Sequence, residues 1–175
     1  MINTKALNRA IKEGGKSPSG IHILCSDGQM WIDAEEYQLR ANMEDVDRDT
    51  KSLIYRLTGD LPYNGMNVWL IKKMVQETID ETVRHWGEVL ESAVDTHLMT
   101  SDGRKILNDG KRLLLADAEV MEMIDNVIAV GAGYDFVRLV CQEADLIVSA
   151  DVARKTELAM ILGLNAGGDI DGEDT

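Results

Sequence analysis

The stretch I-H-I-L-C-S-D-G-Q-M-W-I-D, residues 21 to 33, decides the fold. Asp27-Gly28 is a favoured pair for a two-residue turn in which both central residues need positive φ. Alternating residues flank the pair, so the spacing predicts a β-hairpin. T-H-L-M-T-S-D-G-R-K-I-L-N-D, residues 96 to 109, repeats the design around Asp102-Gly103. Two S-D-G hairpins are consistent with a pseudo-repeat or with two independent uses of a common turn.

Working outward, residues 3 to 13 suit a short helix with Ala6, Leu7, Ala10 and Ile11 on one face. G-G-K-S-P-S-G, residues 14 to 20, has linker composition. It is not a P-loop, because Ala10 stands where that pattern requires a glycine. S-L-I-Y-R-L, residues 52 to 57, suits a strand. Val68, Ile71, Val75, Ile79, Val83, Trp86 and Leu90 recur at helical spacing, which predicts a long helix over 66–94. K-R-L-L-L-A-D and E-V-M-E-M-I-D read as short strands, or as a strand and a helical turn. N-V-I-A-V, residues 126 to 130, reads as a central strand buried on both faces. A helix is expected from Tyr134 to about Glu143, and a last one from an N-cap at Ser149 to about Leu162. The chain divides into an N-terminal arm (1–19), a single α+β domain (20–165) and an acidic, glycine-rich tail (166–175).

Composition limits the function classes. The formal net charge is −13 and the chain holds one Phe, four Tyr and three Trp. Such a surface repels phosphate backbones on average and offers few stacking platforms, so direct nucleic-acid binding is not expected. An acidic protein of this size also suits an inhibitor or adaptor, DNA-mimicking in one version, that occupies a basic surface. Cys25 and Cys141 make no disulfide framework, and His22, His85 and His97 lack metal-ligand spacing. No metal or cofactor is expected. The absence of a long apolar run argues against a membrane span, and the charged N-terminus against a signal peptide, so a cytoplasmic location is expected.

Two motifs invite a ligand reading. Asp45, Asp47 and Asp49 open a calcium-loop pattern, but Thr50 and Arg56 stand where it needs Gly and Glu. A solvated loop or helix face is the better reading of residues 33 to 49. In G-A-G-Y-D-F the third place of a dinucleotide fingerprint is Phe136, where a small residue must stand. The geometric reading is that the glycines let a buried strand reverse sharply into a helix without steric cost, with Gly131 or Gly133 the candidate for positive φ.

L-M-T-S-D-G-R-K-I, V-I-A-V-G-A-G-Y-D-F-V-R-L-V and S-A-D-V-A-R-K-T-E-L-A-M-I-L together resemble the C-terminal half of the proteasome β-subunit and HslV peptidase family. S-G-I-H-I-L-C-S-D-G-Q-M-W-I-D is similar to that family's opening. The resemblance implies an N-terminal-nucleophile-hydrolase-like α+β fold: two stacked, mostly antiparallel sheets flanked by helices. It implies ring assembly or another protein partner. By the family's pattern the nucleophile falls on Ser19, the acid on Asp33 and the lysine on Lys51. Ala132 replaces the family's serine, and Ser19 is internal, so the resemblance favours a catalytically degenerate relative over a hydrolase activated by self-cleavage.

Overall fold

The computed structural model describes residues 1–72, 74–77, 85–88 and 90–154. Helix α1 spans Thr4–Gly14 and is capped by Asn3, whose side chain accepts from the Ala6 amide. Its Ala6, Leu7 and Ile11 are buried, as the sequence spacing requires. Strands β1 (Ile21–Ser26) and β2 (Gln29–Ala34) form the expected hairpin, closing at Ser26 opposite Gln29. Asp27 and Gly28 have φ of 52° and 74°, the left-handed pair such a turn demands. Strand β3 (Tyr37–Asn42) follows, then α2 (Arg48–Thr58).

The remaining strands are β4 (Asn67–Ile71), β5 (Met74–Glu77), β6 (Glu91–Ser92), β7 (Val94–Met99), β8 (Arg104–Asn108), β9 (Leu113–Asp117), β10 (Ala129–Ala132), β11 (Phe136–Val140) and β12 (Ala144–Val152), with a short α3 (Ala118–Met121) after β9. The main sheet runs β5-β4-β1-β2-β3-β12-β11-β10-β6. Strand β12 belongs to two sheets. Ala144–Val148 pairs with β3, and Ala150–Val152 pairs with β9, from which β8 and β7 continue. Every strand pairing among the described residues is antiparallel. The class is α+β with mostly antiparallel sheet. The sheets are joined through a shared strand, not stacked as separate layers on the hydrolase plan.

One core serves all of this. Leu7 and Ile11 of α1, and Leu53 and Ile54 of α2, pack with Ile21, Ile23, Met30, Ile32 and Leu39 of the main sheet and with Leu107 and Leu114 of the branch. Strand alternation therefore sends Ile21, Ile23 and Cys25 toward the helices and His22 and Leu24 to the other face.

Several expectations are corrected. Residues 52 to 57 are helix, not strand. A short apolar run is ambiguous between the two, and the ends decide. Asp47 caps the Thr50 amide at 2.8 Å, and Gly59 closes the helix at φ 87°. The D-x-D-x-D motif thus supplies a helix cap. Within residues 33 to 49, read as a solvated loop or helix face, residues 37 to 42 form β3. The stripe predicted as one helix over 66–94 is divided among β4, β5, a 3-10 turn at His85–Gly87 and β6. Its Ile79 and Val83 lie outside the described residues. Residues 136 to 140 are strand, because β10 and β12 pair with both their edges. Ser149 lies within β12; the expected helix beyond residue 154 and the 166–175 tail lie outside the described residues.

The turn after β10 is also corrected. Gly131 and Gly133 do not have positive φ. A Cβ on Gly131 would lie 2.8 Å from Leu90 Cδ1, and one on Gly133 would lie 2.2 Å from Phe136 Cε1. Glycine is needed there for space. The turn joins two antiparallel strands and leads into no helix, so it has neither element of a dinucleotide cradle. It is latched from the other sheet: Arg112 donates to the carbonyls of Gly133 (2.9 Å) and Tyr134 (3.0 Å) while pairing with Asp109. Nor is 126–130 the central strand. Ile128 is 73% exposed, whereas Leu146, Ile147 and Val148 of β12 are buried on both faces.

Candidate functional site

Charge is distributed unevenly over this fold. Lys5, Arg9, Lys12 and Lys16 recur at helical spacing on α1 and its C-terminal turn, and all four are exposed. The apolar stripe of Ala6, Leu7 and Ile11 faces inward, which turns the intervening cations outward. On α2, Arg48 and Arg56 are exposed and Lys51 is half-buried. The two helices thus present seven cations against Glu13, Asp47 and Asp49, in a chain of 18 cations and 31 acids. An open groove of about 660 Å³ runs along them, lined by Lys5, Asn8, Arg9, Lys12, Lys16 and Asp47 among others.

The helices are tied together at the groove. The Thr4 hydroxyl donates to Asp47 Oδ2 at 2.6 Å, so one carboxylate caps α2 and holds the start of α1. Burial pushes the Asp47 carboxyl up. Hydrogen bonds from Thr4 and Thr50 outweigh it and hold the group below the usual carboxylate range. Arg9 reaches Glu119 at 3.5 Å and Glu122 at 3.9 Å, both exposed pairs of small energetic weight.

The opposite face of the main sheet carries a covered polar layer. His22 stacks on Trp69 with centroids 5.3 Å apart. Its Nε2 lies 2.7 Å from Asn67 Oδ1, and its Nδ1 lies 3.5 Å from Asp33 Oδ2. Both ring nitrogens face protein groups and the side chain is 1% exposed, so the ring is placed for packing and not for exchange with a substrate. Beside it Asp145 accepts from Arg40 and, at 2.7 Å, from Arg138. Both guanidinium groups lie over the Trp86 ring, at 5.0 and 5.5 Å from its centroid. Trp86 thus seals a charged cluster that the sequence did not reveal, because its members meet only across strands.

The residues indicated by the family resemblance stand apart in environment. Ser19 is exposed in the loop before β1, and its hydroxyl donates to Glu35. Asp33 is buried with His22 on the sheet face turned away from the helices. Lys51 stands on α2. Among the described residues no group of three His, Cys, Asp or Glu side chains could hold a metal ion, and no helix is long and apolar enough to cross a membrane.

No protein-family model matches the chain, and no curated protein matches it. Solved structures similar to it include the following two. One is a DNA polymerase III β subunit from Thermotoga maritima, at 16% identity and a TM-score of 0.41, covering 87% of this chain and 64% of that one. The other is a DNA polymerase III β sliding clamp from Bartonella birtlesii, at 10% identity and a TM-score of 0.32, covering 91% and 64%. The chain spans less than two thirds of either. Neither neighbour is an N-terminal-nucleophile hydrolase. Among the described residues no helix follows β10, where the peptidase pattern needs one, and the sheets share β12 instead of stacking, so the proteasome and HslV resemblance is withdrawn. The degenerate-peptidase, self-cleaving-hydrolase and acidic-inhibitor readings are withdrawn with it.

Proposed function

We propose that the chain is a binding protein that lays its helical face along a polyanionic backbone of the nucleic-acid type. The observation that supports this is the exposed cationic stripe Lys5, Arg9, Lys12 and Lys16 on a protein whose net charge is −13. The whole-chain argument against nucleic acid averages charge over the surface. A local stripe acts within a Debye length of about 8 Å at physiological salt, beyond which the acidic remainder is screened. Lys5 to Lys12 covers about 10 Å along the helix axis, comparable to about three phosphates of one strand at about 3.4 Å each. The reading is of contact to the phosphate backbone, which carries no sequence information by itself.

Fluorescence anisotropy with a labelled duplex tests it. About four phosphate contacts give a slope of log K on log salt near −3.6, or about 150-fold weaker binding at 200 mM than at 50 mM salt. The variant Lys5→Gln/Arg9→Gln/Lys12→Gln/Lys16→Gln, confirmed folded by circular dichroism, is expected to lose that slope. No association at 50 mM salt, or an unaltered slope in the variant, refutes the proposal.

A second reading, self-association, has its own support. Strand β5 exposes Met74 and Val75, and β7 exposes Val94, Leu98 and Met99, both at sheet edges among the described residues. Light scattering coupled to size exclusion separates a monomer from an assembly, and a monomer at all concentrations refutes this reading.

A further inference from the structure

Helix α2 carries more than cations on its outer side. Its Thr50, Leu53 and Ile54 are buried against the core. At about 3.6 residues per turn, the opposite line of the helix runs through Arg48, Ser52 and Tyr55, with Lys51 and Arg56 on its two flanks. The acids keep to the start of the helix. Asp47 is its cap and Asp49 lines the groove, and none follows before Asp60.

Tyr55 is the feature that a purely electrostatic account leaves unused. It is 52% exposed on that outer line. Among the described residues no aromatic ring and no guanidinium lies on it. Other rings of the chain are covered from within: Trp69 stacks with His22, and Trp86 lies under Arg40 and Arg138. Arg56 is next to Tyr55, while Lys51 precedes it by about 6 Å and Arg48 by about 10 Å along the helix axis. The ring thus stands open within a row of cations. The loop leaving the helix exposes two further large side chains, Leu61 and Tyr63.

We infer that the helical face takes a single-stranded nucleic acid, with an unpaired base stacked on Tyr55 and neighbouring phosphates on Arg48, Lys51 and Arg56. This rests on the polyanion reading above and adds the base to it. A duplex keeps its base faces stacked inside, so it offers the ring nothing to lie on. A single strand has free base faces, and every base has one, so stacking on an aromatic side chain is tolerant of sequence. Cations that follow the backbone and an aromatic ring between them are the two elements such a contact needs.

Anisotropy of labelled oligomers of about 12 nucleotides, at about 50 mM salt, tests this on the full chain. Oligo-dU is compared with an abasic oligomer of equal phosphate number and with a duplex. Oligo-dU is expected to bind about 5-fold or more tightly than the abasic oligomer, the lower end of one base–aromatic stack. Tyr55→Ala, confirmed folded by circular dichroism, is expected to erase that difference while its affinity for the abasic oligomer and the duplex stays that of wild type. Tyr55→Phe keeps the difference. Tyr134→Ala, which removes a more exposed ring from the turn after β10, also keeps it. Oligo-rU separates the two sources of a single strand: tighter binding than oligo-dU assigns RNA, and equal or weaker binding assigns DNA. Equal affinity of wild type for oligo-dU and the abasic oligomer, or a difference that survives in Tyr55→Ala, overturns the inference and leaves the phosphate reading standing. Absence of binding to every oligomer and to the duplex overturns both.

Discussion

Gly133→Ala tests why the turn after β10 tolerates only glycine. Its backbone does not require one, since φ is not positive there. The added methyl would stand 2.2 Å from Cε1 and 2.3 Å from Cζ of Phe136. Carbon atoms rest at about 3.5–4.0 Å, so ring and methyl overlap by about 1 Å or more. Phe136 is 2% exposed and sits at the start of β11, so relief needs either an expelled ring or an opened turn. Deleting a buried Phe costs about 3–5 kcal/mol, and overpacking costs about 1–3 kcal/mol. A displaced ring falls between, at about 2–3 kcal/mol, or a Tm lower by about 4–12 °C in a chain of this length. Calorimetry of Gly133→Ala, Phe136→Leu and the double variant closes a thermodynamic cycle. The smaller side chain is expected to remove at least half of the glycine penalty. An equal penalty in both backgrounds would show that the clash is not the cause, and the reasoning would fail. Gly131→Ala should be milder, because Leu90 can turn its Cδ1 away, leaving the 3.0 Å approach to its Cβ.

Asp47→Ala is expected to cost about 1 kcal/mol at pH 7, the usual value of a helix N-cap. The Asp47 carboxyl is depressed in the folded state, so its stabilisation is present above the ordinary carboxylate value of about 3.9 and lost as pH falls through the folded value. Urea unfolding at pH 7 and pH 3 should show the gap to wild type closing in acid. Arg112→Met should cost about 1.5–3 kcal/mol, since it leaves the Asp109 carboxylate, 1% exposed, without its cation and frees two turn carbonyls; Arg112→Lys should rescue little, because the fork geometry is lost. Cys25, whose thiol burial pushes up to about 11, should resist a disulfide reagent at pH 8 in the native state and react in urea, read in a Cys141→Ser background.

The parts of the fold that sequence revealed are those in which local signals suffice. Asp27-Gly28 fixes its own turn, and Leu7 and Ile11 mark the buried face of α1. The failures have a shared physical origin. Whether F-V-R-L-V is strand or helix depends on β10 and β12 beside it, and neither neighbour is visible within a short window. S-L-I-Y-R-L is too short to decide, and its outcome was written in Asp47 and Gly59 at the ends. The cationic stripe was readable from the spacing of Lys5, Arg9, Lys12 and Lys16, but a whole-chain charge of −13 obscured it. The Arg40–Asp145–Arg138 cluster was not readable at all, since register alone brings those positions together.

Strand β12 imposes a mechanical condition on the molecule. Its first half completes the main sheet and its second half begins the branch, with Ser149 at the junction holding the carbonyl of Glu36 at 2.9 Å. Neither ladder can peel away without fraying the other along the same backbone. The protein should therefore melt as one unit, and the amides of Leu146, Ile147 and Val148 should be the last to exchange with deuterated water.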